Sequence, residues 1–356
     1  MDFEEFREKL MEDLAQDLYE NTGAEYTVEP TSVNKLQNAG YEGIVIRPED
    51  AAVGINIDAQ SLFKDYENGK PYEEVFSDAY RMIADGFDHQ PNFNIEEFSN
   101  YDAMKEKLAI QVVSTERNAE MLEKIPHKEV EDMSLVCRFI VGDTAFGQGS
   151  ILVNNDMLQN YGITSDQLFA DAAKYAPELR PSEIMSIADV LAQMMGIDVS
   201  ELNDQMGVPG NPDIPMYVAS THDKSNGAGI IAYPGFMEMA AEKIGGDFFV
   251  LPSSVHEVIL VPDNGTGDFH ELEAMVQEVN ATQVDPKDQL SDKVYHYDSK
   301  DKVFELAEKF DARKKEKDRA EEKGSVLKEL DSSKKDIADA SKDRHSRMPK
   351  KDEASL

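Results

Sequence analysis

Ser254 and His256 are the first pair in this chain whose types and spacing suggest chemistry. On an extended backbone, alternate side chains share a face with their Cα atoms roughly 6.5 to 7 Å apart, close enough for a hydroxyl nucleophile to meet an imidazole base. Glu257 would then point to the opposite face. Such a pair could hydrolyse an ester or amide. The competing account treats Pro252-Ser253-Ser254 as the turn of a hairpin between two apolar runs, with Ser254 closing the turn through a local hydrogen bond. The G-x-S-x-G pattern that lifts a nucleophile onto a strained turn is missing around either serine, so the hairpin is the expected role.

Three histidines have acidic neighbours, at His222-Asp223, His256-Glu257 and His270-Glu271, which raises the question of a metal. None has a second histidine four residues away, the spacing that lets one helix face hold zinc, and no metal site is expected. Gly142-Asp-Thr-Ala-Phe-Gly-Gln-Gly-Ser150 has the glycine spacing of a phosphate loop. Gln148 and Gly149 stand where that loop needs Lys and Ser or Thr, so a tight turn between strands is expected and no cofactor. The lone cysteine, Cys137, lies in the apolar run Ser134–Val141 and reads as a buried strand residue.

Composition narrows the classes further. With 40% hydrophobic residues over 356 positions the chain can bury a sizeable core. Its formal charge is −35, and the residues from Lys300 onward hold 17 basic against 15 acidic groups, so the preceding body carries all of the excess. A surface of that sign repels phosphate backbones and anionic lipid, and the body is expected to bind neither nucleic acid nor membrane. No apolar run approaches the roughly 20 residues that span a bilayer, and the acidic first residues are unlike a basic secretory leader, so the cytoplasm is the expected location.

The elements that would position these groups follow from periodicity. Phe3, Phe6, Leu10, Leu14 and Leu18 form one stripe of an acidic helix that Gly23 ends. Residues 41–47 and 53–58 alternate as a hairpin, and 59–67 and 72–85 are helical. Strands are predicted at 108–114, 134–141, 148–153, 215–220, 228–233, 247–251 and 255–261. Helices are predicted from Thr164 towards Pro177, from Ser182 to Gly196, at 236–244 and after Asp268. The prolines of 207–215 impose a loop. Val303, Leu306, Ala307 and Phe310 can dock a last helix, and from 312 to 356 apolar groups are too sparse to offset ordering entropy. The expected architecture is α+β, with mixed, mainly antiparallel sheets, packed helices and a disordered charged C-terminal tail. Two lobes are expected, 1–125 and 126–311, with one continuous domain as the alternative, followed by the tail at 312–356.

Phe248-Phe-Val-Leu-Pro-Ser-Ser-Val-His-Glu-Val-Ile-Leu-Val-Pro262 and Val294-Tyr-His-Tyr-Asp298 resemble a bacterial family known as domain of unknown function 5688. The likeness extends over most of residues 25 to 310, and it implies a cytosolic bacterial protein without assigning any residue a role. The expected function is a non-enzymatic, acidic, protein-binding module. The alternatives are a hydrolase using Ser254 and His256, and a DNA mimic that occupies the groove of a basic nucleic-acid-binding protein.

Overall fold

The computed structural model describes the chain except residues 50, 52–53, 89–94, 145–146, 199–214, 266–267, 320–322 and 324–356. It is an α+β protein whose three sheets are antiparallel throughout. All but the last residue of the loop predicted at 207–215, and most of the expected tail, lie outside the described residues.

The first unit begins with α1 (Phe3–Thr22), where the Asp2 carboxylate accepts from Glu5 N and the Glu5 side chain returns the bond. Reciprocal capping satisfies two of the amide groups that a helix start leaves open. Gly23 ends α1 at φ +69°, a conformation that costs a residue with a Cβ about 1 to 2 kcal/mol. A three-stranded sheet follows, β1 (Tyr26–Lys35), β2 (Asn38–Pro48) and β3 (Ile55–Asp58), and then α2 (Ala59–Glu67) and α3 (Tyr72–Asp88). The stripe of α1 is buried as its spacing requires. Phe6, Leu10 and Leu14 are fully enclosed with Ile44, Ile46, Val75 and Ile83. Each such side chain contributes roughly 1.5 to 3 kcal/mol of transfer free energy.

The second unit opens with the short helices α4 (Ile95–Phe98) and α5 (Tyr101–Met104), then β4 (Leu108–Ser114), α6 (Ala119–Leu122), β5 (His127–Val130), β6 (Met133–Thr144) and β7 (Gly147–Leu152). These strands form one sheet in the order β4-β6-β5, with β7 also on β6. This pairing runs across the boundary expected near residue 125. β4 matches β6 from Leu108 to Ser114, and Tyr101 and Met104 share a core with residues as distant as Tyr295.

Next come α7 (Asn155–Tyr161), α8 (Ser165–Leu179), β8 (Ser182–Ser186), α9 (Ile187–Met195), β9 (Tyr217–Thr221), α10 (Phe236–Ile244), β10 (Phe248–Leu251), β11 (Val258–Pro262), α11 (Phe269–Thr282), β12 (Tyr295–Asp298) and β13 (Val303–Leu306). The strands build a six-stranded sheet, β13-β12-β10-β11-β9-β8. A final helix, α12, occupies 307–319. Among the described residues no helix is long and apolar enough to cross a membrane.

Several predicted elements change type. Residues 182–186 extend the sheet as β8 instead of starting a helix, and Ser186 caps α9 in a reciprocal pair with Asp189. Residues 227–232 form a 3-10 segment in place of the strand expected at 228–233. It lies so close to its neighbours that a Cβ on Gly229 would collide with the carbonyl of Ile110. Val303 to Leu306 pair with β12, so the last helix starts later and runs further than expected, through 319.

Candidate functional site

The hairpin of β10 and β11 pairs Phe248–Leu251 with Ile259–Pro262, leaving 252–257 as a loop. The common-face argument for Ser254 and His256 therefore loses its extended backbone. Ser254 is buried, and its Oγ accepts from the backbone N–H of His256 at 3.0 Å, the local bond of a closed turn. The imidazole is engaged elsewhere. Its Nδ1 accepts from Asn226 N at 3.3 Å, and its Nε2 lies 3.4 Å from Asp288 Oδ1. With Nδ1 as acceptor, the neutral ring's proton sits on Nε2 and faces the carboxylate, so its lone pair is not free to receive a proton from a hydroxyl. Glu257 is half-buried and takes no part in these contacts.

The same loop grips a second one. Leu290 N and Ser291 N donate to the carbonyls of Ser253 and Pro252, and Val255 N donates to Asp288 O. The His256 carbonyl accepts from Ser220 Oγ, and a Cβ on Gly227 would collide with both of those atoms. Pro252 to His256 thus serve as a clamp on residues 288–291.

Beside the clamp lies a cleft of about 530 Å3 between the end of β4, the turn before β6, the C-terminal part of α11 and residues 289–293. Its lining includes Arg117, Asp132, Asn280, Ser291, Asp292 and Lys293. Asp132 accepts from Ser291 Oγ at 2.9 Å and from the Tyr295 hydroxyl. Burial and that carboxylate push the Tyr295 hydroxyl far above the usual phenol range. The tip between β1 and β2 reaches the same region: buried Gln37 donates from Nε2 to Gln289 O, and its Oε1 accepts from Ser114 N and Asn118 Nδ2.

A different surface lies on the first unit. A groove of about 410 Å3 between α1 and α3 is lined by Asp13, Asp17, Glu20 and Glu73 together with Tyr72 and Phe76. Lys9 places its Nζ 4.4 Å from the centre of the Tyr72 ring and 2.7 Å from Asp13 Oδ2. The bonds from Lys9 and Tyr72 hold the Asp13 carboxyl below its ordinary range.

The other histidines with acidic neighbours do not converge. His222 is exposed and bonds Glu183, which raises its pKa, while His270 lies in the first turn of α11, near Glu273. Among the described residues no group of three metal-binding side chains is assembled. Cys137 is fully buried, and burial pushes its thiol well above the usual range. Sequence reasoning missed Asp288, Gln289, Asn280 and Gln37, because each acts through contacts to distant segments. Lys9 and Asp13, four apart on one helix, were a visible signal.

No curated protein and no solved structure matches this chain. The model of one family, described as "Family of unknown function (DUF5688)", matches residues 3–299. That span takes in the first unit, the second unit as far as β12, the clamp and the loop it grips, and the chain belongs to this family.

Proposed function

We propose that this chain is a non-enzymatic protein-binding module of the bacterial cytosol that holds a basic segment of its partner in the groove between α1 and α3. The observation that carries the reading is Lys9, whose ammonium rests on the Tyr72 ring and pairs with Asp13 at the groove. A partner's lysine or arginine would bind in the same way, over an aromatic face and against a carboxylate. Aromatic faces attract cations, and the carboxylates of Asp17, Glu20 and Glu73 supply the long-range field. A DNA mimic would share the acidity, but a phosphate-like array needs no aromatic wall, which is why a peptide segment is favoured. The hydrolase alternative draws no support from residues 252–257, where Ser254 Oγ and the imidazole of His256 are engaged with other groups.

The test uses a fluorescent lysine- and arginine-rich peptide with the full chain, followed by anisotropy. Binding should weaken steeply between about 50 and 200 mM salt, as for any contact built on several exposed ion pairs. The charge reversals Glu20→Lys and Glu73→Lys together should reduce affinity about tenfold or more, and Phe76→Ala should reduce it without changing the salt slope. Affinity untouched by the reversals would refute the groove. Affinity lost equally on reversing acids elsewhere would favour diffuse acidity over a site.

A further inference from the structure

The cleft beside the clamp contains a feature that its own contacts leave incomplete. Asn280 is 4% exposed, and its Nδ2 donates to Ser291 O at 3.1 Å and to Asp292 Oδ1 at 2.6 Å. Two acceptors around one end of the amide fix its orientation, because the flipped amide would set oxygen against both. The other end, Oδ1, is buried and has no hydrogen-bond partner. A buried carbonyl left without a donor costs roughly as much as a lost hydrogen bond. Asn280 lines the cleft, and a small shift of the groups that cover Oδ1 would let a donor placed there complete it.

The neighbouring charges say which donor. Asp132 and Asp292 line the cleft with Asn280 and are joined to its Nδ2 end by bonds, Asp132 to Ser291 Oγ, and Ser291 O and Asp292 Oδ1 to Asn280 Nδ2. Neither carboxylate has a salt-bridge partner among the described residues, although the cleft also contains cations. The amide carbonyl and two carboxylates that accept only from neutral groups suit an ammonium group, which has three hydrogens to donate and no acceptor.

The opposite charge is present as well. Arg117 donates to Pro286 O and Gln289 Oε1 and has no carboxylate partner among the described residues. Those two bonds use one hydrogen on each terminal nitrogen and leave three N–H groups of the guanidinium for an incoming anion. Lys293, paired with Glu273 at 3.2 Å, adds a second cation to the lining.

We propose that this cleft binds a small zwitterion carrying a primary ammonium and a carboxylate, the chemistry of a free amino acid or a short peptide. The ammonium is held by Asn280 Oδ1 with Asp132 and Asp292, and the carboxylate by Arg117. This proposal is independent of the α1–α3 groove, which lies on other residues.

Isothermal titration calorimetry of the full chain tests it, with L-alanine, L-glutamate, L-lysine and the dipeptide Ala-Ala as probes. Propionate and ethylamine, each lacking one charged group, are the controls. At least one zwitterion should bind, and propionate and ethylamine should each bind about tenfold or more weakly than it does, since each forfeits a set of charge-assisted hydrogen bonds. A free amino acid outranking Ala-Ala identifies the first source, and the reverse order the second. Arg117→Gln and Asp292→Asn change exposed side chains and should leave the fold intact while each weakens the bound zwitterion about tenfold. If none of the four zwitterions binds at millimolar concentration, or if both variants bind as the wild type does, the proposal fails. Ethylamine binding as tightly as the amino acids would also overturn it, leaving a cation site only.

Discussion

Replacing Gln37 should loosen the joint between the β1–β2 tip and the rest of the protein by an amount that can be worked from its bonds. The side chain makes three of them: Nε2 to Gln289 O at 2.5 Å, and Oε1 from Ser114 N at 3.0 Å and from Asn118 Nδ2 at 2.5 Å. At a net value of about 1 kcal/mol each, Gln37→Ala should cost about 3 kcal/mol. The backbone bond from Gln37 N to Asn118 Oδ1, and the bond from Asn118 to Ser114 O, should survive. Gln37 also sits at φ +64°, where glycine is more stable than a residue with a Cβ by about 1 kcal/mol. Gln37→Gly should therefore cost about 2 kcal/mol, less than alanine despite being the smaller residue. Urea unfolding followed by tyrosine fluorescence suits a chain with 13 tyrosines and no tryptophan. Native-state hydrogen exchange at the Ser114 amide reads the joint directly. Costs below about 0.5 kcal/mol for both variants would refute the bonding account, and equal costs would refute the strained backbone.

Three further outcomes are expected. Asp263 lies 3.0 Å from Nε2 of fully buried His296, and that bond, with one from Gly265 N and the nearby Lys314, keeps its pKa below the usual carboxylate value. Its contribution is complete above the unfolded pKa near 4 and is lost as pH falls through the lower folded value, so Asp263→Asn should flatten acid unfolding below about pH 4; an unchanged acid limb would contradict this. Phe310 stacks on His296 and Arg313 bonds Asp298, Asp301 and Glu305, so trypsin should spare Lys314 to Lys317 in the wild type and cleave there in Phe310→Ala; cleavage of both at one dose would mean that the helix is not docked. His256→Gln, which keeps a polar group towards Asp288, should lower stability by about 1 kcal/mol; hydrolysis of a model ester that this change abolishes at unaltered stability would restore the enzyme reading.

The sequence made legible what depends on near neighbours. The α1 stripe, its glycine stop and the hairpin at 248–262 follow from spacings of three, four and two, and all are present. Thr164 caps α8 through Gln167 N, as its position suggested. What stayed hidden depends on distant partners. Ser182 to Met185 read as the start of a helix because apolar Ile184, Met185 and Ala188 fit a helical period, yet β9 offers them a complete ladder. β1 was missed altogether, since Pro30 and its polar neighbours carry little strand signal, and its eleven-residue partner β2 supplies the pairing. The candidate pair Ser254 and His256 shows the same limit at a site. Spacing placed a hydroxyl near an imidazole, but Asn226 and Asp288, respectively 30 and 32 residues away from His256, decide which atoms those groups meet.

Those distant partners also explain why the clamp, the Gln37 tip and the cleft belong to one device. Residues 285–291 are held from one side by the carbonyls of Pro252 and Ser253, from another by Gln37, and from beneath by Gln289 Nε2, which donates to Asn280 O and Val284 O. Arg117 closes the fourth side through Pro286 and Gln289. A loop restrained on so many sides loses little further freedom when a ligand settles against Ser291 and Asp292, and that lowers the ordering cost of binding. The restraint works in both directions. A ligand that binds the held state of the loop better than the released one would also strengthen the hold of Gln37 on Gln289, by the reciprocity of linked equilibria. The tip of the first unit thus touches the cleft of the second at two of its lining residues, Gln289 and Ser114, and the groove on α1 and α3 sits on the same unit as that tip.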